Sequence, residues 1–296
     1  QSLLKQGINI EFANYLYVGY PFIGIFLTYL VAKYIFREKL GHGITSILYS
    51  ISKKSSLVSR SKMISRMFTS ALTVGFGGSV GLEAPIVVTG SAIGSNIGNW
   101  VHLNYKKRTI LIGCGAAGAI SAIFNSPVAG AIFALEVILS EVTIAGLIPV
   151  LIASVSASLI SLTWLGDDVL FSFKLKDSFT ASDTIFYIFL GAICGLISVY
   201  FNRITFWVES KIGQVKTGWR KVFVGGLALG IIIFVFPPIY GEGYDTIKLL
   251  LAGQEAEVLN GSLFFSKIDN ISLLLLFLVG VIIIKPFASA ITIGSG

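Results

Sequence analysis

Glu83 is the only charged side chain between Arg66 and Lys106, and it stands in Gly77-Gly78-Ser79-Val80-Gly81-Leu82-Glu83-Ala84-Pro85, where two apolar runs meet. A carboxylate at membrane depth costs roughly 2.5–3.5 kcal/mol on insertion scales, so a chain that keeps one has a use for it. The plain alternative is a glutamic acid held neutral by burial or parked in an interfacial loop, and it leaves the surrounding glycines and proline unexplained. A helix that begins inside the membrane aims several backbone N–H groups and a positive dipole end at one point. Such a point binds anions without a permanent cation nearby. Three stretches have the form of such a start: Gly41-His42-Gly43-Ile44-Thr45, Gly81-Leu82-Glu83-Ala84-Pro85 and Gly294-Ser295-Gly296.

The elements that must position these residues are apolar. Of 296 residues, 54% are hydrophobic and 12% charged, with a mean hydropathy of +0.84. A soluble chain carries about twice that charge. Long uncharged stretches follow one another: 12–32, 67–82, 84–105, 109–135, 142–166, 184–202, 222–241 and 271–284. A spanning helix needs about 20 apolar residues. Most of these runs fit, and the composition specifies an all-α polytopic membrane protein. The first residues do not show the basic, apolar and small-residue order of a cleavable signal. Cys114 and Cys194 both lie inside apolar runs with neither metal nor disulfide spacing, and read as packing residues.

The net charge of +7 is local: between Lys33 and Arg66, eight basic residues (Lys33, Arg37, Lys39, Lys53, Lys54, Arg60, Lys62, Arg66) face Glu38 alone. The positive-inside rule puts this segment in the cytoplasm. Its flanking spans argue against nucleic acid as a partner, and its charge would also draw anions toward a pore mouth.

The runs are broken rather than simply spanning. The first carries Pro21 and Gly24, and the run after the basic segment stops at Gly77-Gly78-Ser79-Val80-Gly81. The next opens Ala84-Pro85, with proline where a first helical turn tolerates it. It continues through Gly90, Gly94 and Gly98, a ridge of small residues suited to close helix contact. Asn125-Ser126-Pro127 restarts a helix through Glu136, and the second portion repeats the style with Gly191 and Gly195, then Gly225, Gly226 and Gly230. Interrupted apolar segments in corresponding positions of two halves point to an inverted repeat. The expected organisation is a first half over 1–166, a connector over 167–183 and an incomplete second half over 184–296.

On these motifs the sequence resembles the CLC family of chloride channels and proton/chloride exchangers. Gly81-Leu82-Glu83-Ala84-Pro85 resembles the family's Gly-Lys/Arg-Glu-Gly-Pro, and Gly41-His42-Gly43-Ile44-Thr45 lies where the family has Gly-Ser-Gly-Ile-Pro. Gly115-Ala116-Ala117-Gly118 through Phe124-Asn125-Ser126-Pro127-Val128-Ala129-Gly130 and Phe133-Ala134-Leu135-Glu136 is similar to a further family block, and Lys285-Pro286 through Gly296 to the approach to Gly-x-Phe-x-Pro. The resemblance implies that Glu83 is the gate and competes with anions for the path. It further implies an anion site from Gly41, His42, Gly43, Ile44, Gly81, Leu82, Glu83 and Ala84. The permeant ligand would be chloride or another monovalent anion, with no cofactor, no metal and no enzymatic activity. A homodimer in the lipid bilayer of the cell membrane completes the expectation.

Three departures qualify what the resemblance implies. His42 replaces the serine whose hydroxyl binds the central anion; imidazole donates one N–H when neutral and adds charge when protonated, or else only the loop backbone binds. Val137 holds the position of the exchangers' proton glutamate, which favours passive anion conduction over proton-coupled antiport. Glu136 is the neighbouring acid, displaced by about 100° on an α-helix; its bland alternative is a buried carboxyl satisfied by polar neighbours. The chain also stops before Gly-x-Phe-x-Pro and the family's distal helices, so a non-conducting anion-binding fragment stays open. Gly113-Cys114-Gly115-Ala116-Ala117-Gly118 fits G-x-G-x-x-G without the strand that a dinucleotide site needs. Gly77-Gly78-Ser79-Val80-Gly81 fits the hydrolase pattern G-x-S-x-G, with neither His42 nor His102 a ready triad partner.

Overall fold

A computed structural model describes residues 10–37, 43–139, 143–166, 180–215, 217–254, 258 and 271–295. Among these every regular element is helical. Helix α1 (Ile10–Leu30) runs on as a π turn, Val31–Phe36, and is followed by α2 (Gly43–Lys53), α3 (Lys62–Gly75), α4 (Glu83–Trp100) and α5 (Tyr105–Phe124). Then come α6 (Pro127–Phe133) with its π continuation Ala134–Ile138, α7 (Ile144–Leu165), α8 (Asp183–Gly213) and α9 (Gly218–Val235). A 3-10 turn (Pro237–Ile239), α10 (Tyr244–Leu251) and α11 (Ile271–Ser295) complete the order. Among the described residues, six helices are long and apolar enough to cross a membrane: Val18–Phe36, Tyr105–Phe124, Ile144–Leu165, Asp183–Gly213, Gly218–Val235 and Ser272–Ser295. The protein is an all-α, multi-pass integral membrane protein.

The helix breaks fall where glycine, asparagine and proline put them. Helix α3 ends at Gly75, two residues before Gly77 with its φ of +96°. Helix α5 stops at Asn125 in the left-handed conformation, and Pro127 opens α6. One expected break is absent. Gly294 and Ser295 lie inside α11 and do not open a helix of their own; Gly296 lies outside the described residues. The Ser295 hydroxyl donates to the Ile291 carbonyl at 2.5 Å, tying the last turn back on itself.

The chain divides into two packing units. One comprises Leu30–Ala71 and Gly81–Phe171, around a core of Ile47, Val87, Val88, Ile112, Ala116, Ile138 and Val150. Within it α4 and α5 approach backbone to backbone: a Cβ on Gly90 would stand 2.2 Å from the Gly115 carbonyl oxygen, and one on Gly115 would stand 2.0 Å from that of Gly90. Helix α7 joins them through serine, with Ser121 and Ser154 hydroxyls 2.8 Å apart and Ser161 donating to the Ala122 carbonyl at 2.7 Å.

The other unit comprises Gln1–Tyr29, Leu72–Val80 and Ser172–Gly296, with a core of Ile25, Val222, Leu229, Ile233, Ile239 and Ala288. Helix α8 packs on α11 through Ile204, Val208 and Ala290, and Tyr200 donates to the Ile283 carbonyl at 2.9 Å. Most of α8 is exposed, including Cys194, which therefore is not the packing residue expected; Cys114 is half-buried. These units group residues by packing, whereas the division at 167–183 concerns the sequence repeat.

Candidate functional site

Glu83 is the first residue of α4, behind Leu82 as its N-cap with φ −89° and ψ −5°. The Leu82 carbonyl accepts from the Ile86 N–H at 3.1 Å, closing the first turn, and Pro85 brings no N–H to a position where none would find an intrahelical acceptor. An acid here is favoured by the dipole, typically by about 0.3–1 kcal/mol at exposed sites. The half-buried side chain folds back over Gly81. A Cβ built on Gly81 would stand 2.0 Å from Oε2 and 2.9 Å from Cδ of Glu83. The carboxylate therefore occupies the space that any larger residue at position 81 would need.

Helix α2 begins at Gly43, and its start meets the first turn of α4. A Cβ on Gly43 would lie 3.4 Å from Ala84 Cβ and 3.8 Å from the Ala84 carbonyl oxygen. Ile44 packs with Ile47, Val87 and Val88 on the core, which fixes the approach. One packing unit thus holds Gly43, Ile44, Gly81, Leu82, Glu83 and Ala84. Gly41 and His42 lie outside the described residues.

Glu136 and Val137 fall in the π turn Ala134–Ile138, which closes with the Leu139 N–H donating to the Ala134 carbonyl at 2.9 Å. Both side chains are exposed, Glu136 included. A buried, satisfied carboxyl is thereby corrected: this acid sits on a surface of its unit. Periodicity did not announce the π turn, which places more residues in a turn than an α-helix and so rotates neighbours by less than about 100°.

The decoy patterns resolve into packing. Gly113, Gly115 and Gly118 lie inside α5, Gly115 against Gly90, and the Gly77–Gly81 stretch links two helices with no strand before it. His102 has φ +54° in the turn between α4 and α5.

Sequence reasoning missed a second polar cluster, in the other unit. The buried Ser79 donates its hydroxyl to the Ile239 carbonyl at 2.7 Å, and its N–H donates to Thr292 Oγ1 at 3.2 Å. Lys285, the only charged residue of α11, gives its ammonium to the Ile239 and Gly241 carbonyls at 3.3 and 3.0 Å. A lone cation within a spanning helix was the available signal.

The model of the family described as "Voltage gated chloride channel" matches residues 23–296. The chain belongs to this family. Among its relatives, the "Chloride channel protein CLC-f" of Arabidopsis thaliana is 28% identical over 227 residues, covering 71% of this chain and 29% of that protein. "Chloride channel protein CLC-e" of the same plant is 30% identical over 219 residues, covering 68% and 31%. An uncharacterized protein of Methanocaldococcus jannaschii is 28% identical over 276 residues, covering 93% and 64%. The chain thus spans about a third of the two plant family members. The fold is shared with solved structures. A slow cyanobacterial Cl−/H+ antiporter gives a TM-score of 0.74 at 23% identity, covering 96% of this chain and 64% of that one. A CLC-type fluoride/proton antiporter gives 0.70 at 26% identity, covering 92% and 66%.

Proposed function

We propose that the protein conducts small anions passively across the membrane, as a chloride-type channel gated by Glu83, built from the halves 1–166 and 184–296. The observation that carries this reading is the meeting of two helix starts, Gly43 of α2 and Glu83–Ala84 of α4, with the Glu83 carboxylate folded over Gly81 at that junction. Helix starts supply N–H donors and positive potential to an anion. The ionised carboxylate takes the anion's place there, and protonation or displacement vacates it. Gly41, His42, Gly43 and Ile44 contribute from the cytoplasmic side, and Gly81, Leu82 and Ala84 from the outer side. Chloride or another monovalent anion is the permeant ligand, with no cofactor and no catalysis. The working unit is a homodimer in the cell membrane.

Proton-coupled antiport is the second reading. Its support is the fold shared with structures described as antiporters and the exposed Glu136 beside Val137. Passive conduction is preferred because Val137, at the position the resemblance gives to the proton carrier, is aliphatic and cannot hold a proton. Reversal potentials under crossed anion and pH gradients separate the two. A channel follows the anion gradient alone; an exchanger shifts with an imposed pH gradient. Anion binding without any flux marks a third outcome, a non-conducting anion-binding protein.

A further inference from the structure

We propose that Lys285 is a positioning residue for the gate. It holds the Pro237–Gly241 turn, and through it the segment Gly77–Ser79 that runs, by way of Val80, into Gly81-Leu82-Glu83. The inference rests on the reading of Glu83 as the gate.

Three segments of one packing unit meet around the Ile239 carbonyl. From α11, the Lys285 ammonium donates to Ile239 and Gly241. From the loop after α3, the Ser79 hydroxyl donates to the same Ile239 oxygen. The loop and the turn also touch directly: the Gly241 N–H faces the Gly77 carbonyl at 3.5 Å, and a Cβ on Gly77 would stand 2.3 Å from the Tyr240 ring. Helix α11 closes the ring of contacts at Thr292, whose hydroxyl accepts from the Ser79 N–H and donates to the Ala288 carbonyl at 2.8 Å. Ser79 has its backbone N–H and its side chain both committed, to two different elements.

A cation is an expensive way to hold a turn inside an apolar helix. Charge in a spanning segment must be compensated by dipoles or by an opposite charge. Here two carbonyl dipoles do so, and the Glu242 carboxylate acts on the same ammonium. An uncharged residue would cost α11 less. The cation provides a strong, directed tie on the carbonyl that also anchors Ser79, since hydrogen bonds to charged groups are the stronger kind. Releasing that carbonyl loosens Ser79, four residues before the gating acid, and changes how firmly the carboxylate is presented.

The test reads chloride efflux from liposomes holding the full chain, as a function of pH, for Lys285→Met, Lys285→Arg, Ser79→Ala, the pair Ser79→Ala/Lys285→Met, and Glu83→Gln. Loss of the charged tie is expected to change the closed-to-open ratio about tenfold at a given pH. The Lys285→Met profile therefore moves along the pH axis by about one unit, and Lys285→Arg, which keeps charge and donors, returns most of it. Because both donors act on one carbonyl, the pair moves the profile by less than the sum of the singles. Should Lys285→Met fail to fold, Ser79→Ala and Lys285→Arg still decide, since Ser79→Ala must move the profile away from wild type and Lys285→Arg must stay near it. Superimposable profiles, or additive effects in the pair, overturn the inference. A flat Glu83→Gln profile beside an unmoved Lys285→Met profile sinks only the role of Lys285; a pH-dependent Glu83→Gln profile takes down the gate reading as well.

Discussion

Helices α4 and α8 carry similar runs of small residues, Gly90-x-x-x-Gly94 and Gly191-x-x-x-Gly195, yet the fold uses them differently. In α4 the glycines are contact points: a Cβ on Gly94 would stand 2.0 Å from the Leu111 carbonyl oxygen, much as one on Gly90 would meet Gly115. In α8 a Cβ on Gly191 or Gly195 meets nothing within 4 Å, and the helix presents Phe186, Phe189, Leu196 and Trp207 outward. A small-residue ridge thus states only that a close approach is permitted. Whether it is taken depends on a partner with a matching ridge, which α5 supplies in Leu111 and Gly115. The closeness of α4 to α5 has a functional corollary, because α4 is the helix that starts with Glu83.

Substitutions can break or sharpen this contrast. The largest effect is expected for Gly115→Leu, whose side chain would have to displace the α4 backbone at Gly90. Overpacking typically costs about 1–3 kcal/mol, and a backbone obstacle places this variant at or beyond the upper end. Thermal unfolding in detergent and the yield of monodisperse protein check it; wild-type stability would show that the backbones can part. Next is Gly81→Ala, where the obstacle is the far end of a flexible side chain, the Glu83 carboxylate. The fold should survive while the carboxylate moves, raising anion efflux at neutral pH about tenfold, an energy of about 1.4 kcal/mol. Unchanged efflux with intact stability would place the carboxylate elsewhere. A smaller effect is expected for Ser154→Ala, which removes the partner of Ser121 between α5 and α7. Hydrogen bonds between membrane helices average about 0.6 kcal/mol, a loss that unfolding in denaturing detergent can resolve. The smallest is Gly195→Leu on α8, expected to stay within about 0.5 kcal/mol of wild type in the same assay. A large loss there would mean that this face is covered in the working protein.

Much of this organisation was legible in the sequence because membrane helices are punctuated by few residue types. Pro85, Asn125 with Pro127, and Gly77 marked helix boundaries through backbone geometry alone, and Glu83 stood out through the cost of its charge. Other features had no local signature. Gly294-Ser295 read as a helix start although α11 runs through it, because glycine and serine also occur within membrane helices. The π turn holding Glu136 and Val137 depends on packing beyond the reach of periodicity. Cys194 looked buried because an apolar run does not say whether protein or lipid surrounds it. The shared Ile239 carbonyl joins Ser79 to Lys285 across more than 200 residues of sequence, and only folding brings these donors together.

The central claim is that the Glu83 carboxylate competes with anions at the start of α4. Its sign with pH follows from charge: protonation removes the competitor, so efflux should rise as pH falls. The most direct measurement compares chloride efflux across a pH series from liposomes containing wild-type protein and Glu83→Gln. The account predicts efflux that rises on acidification in the wild type and stays high at every pH in the variant. A variant that keeps the wild-type pH dependence would contradict it.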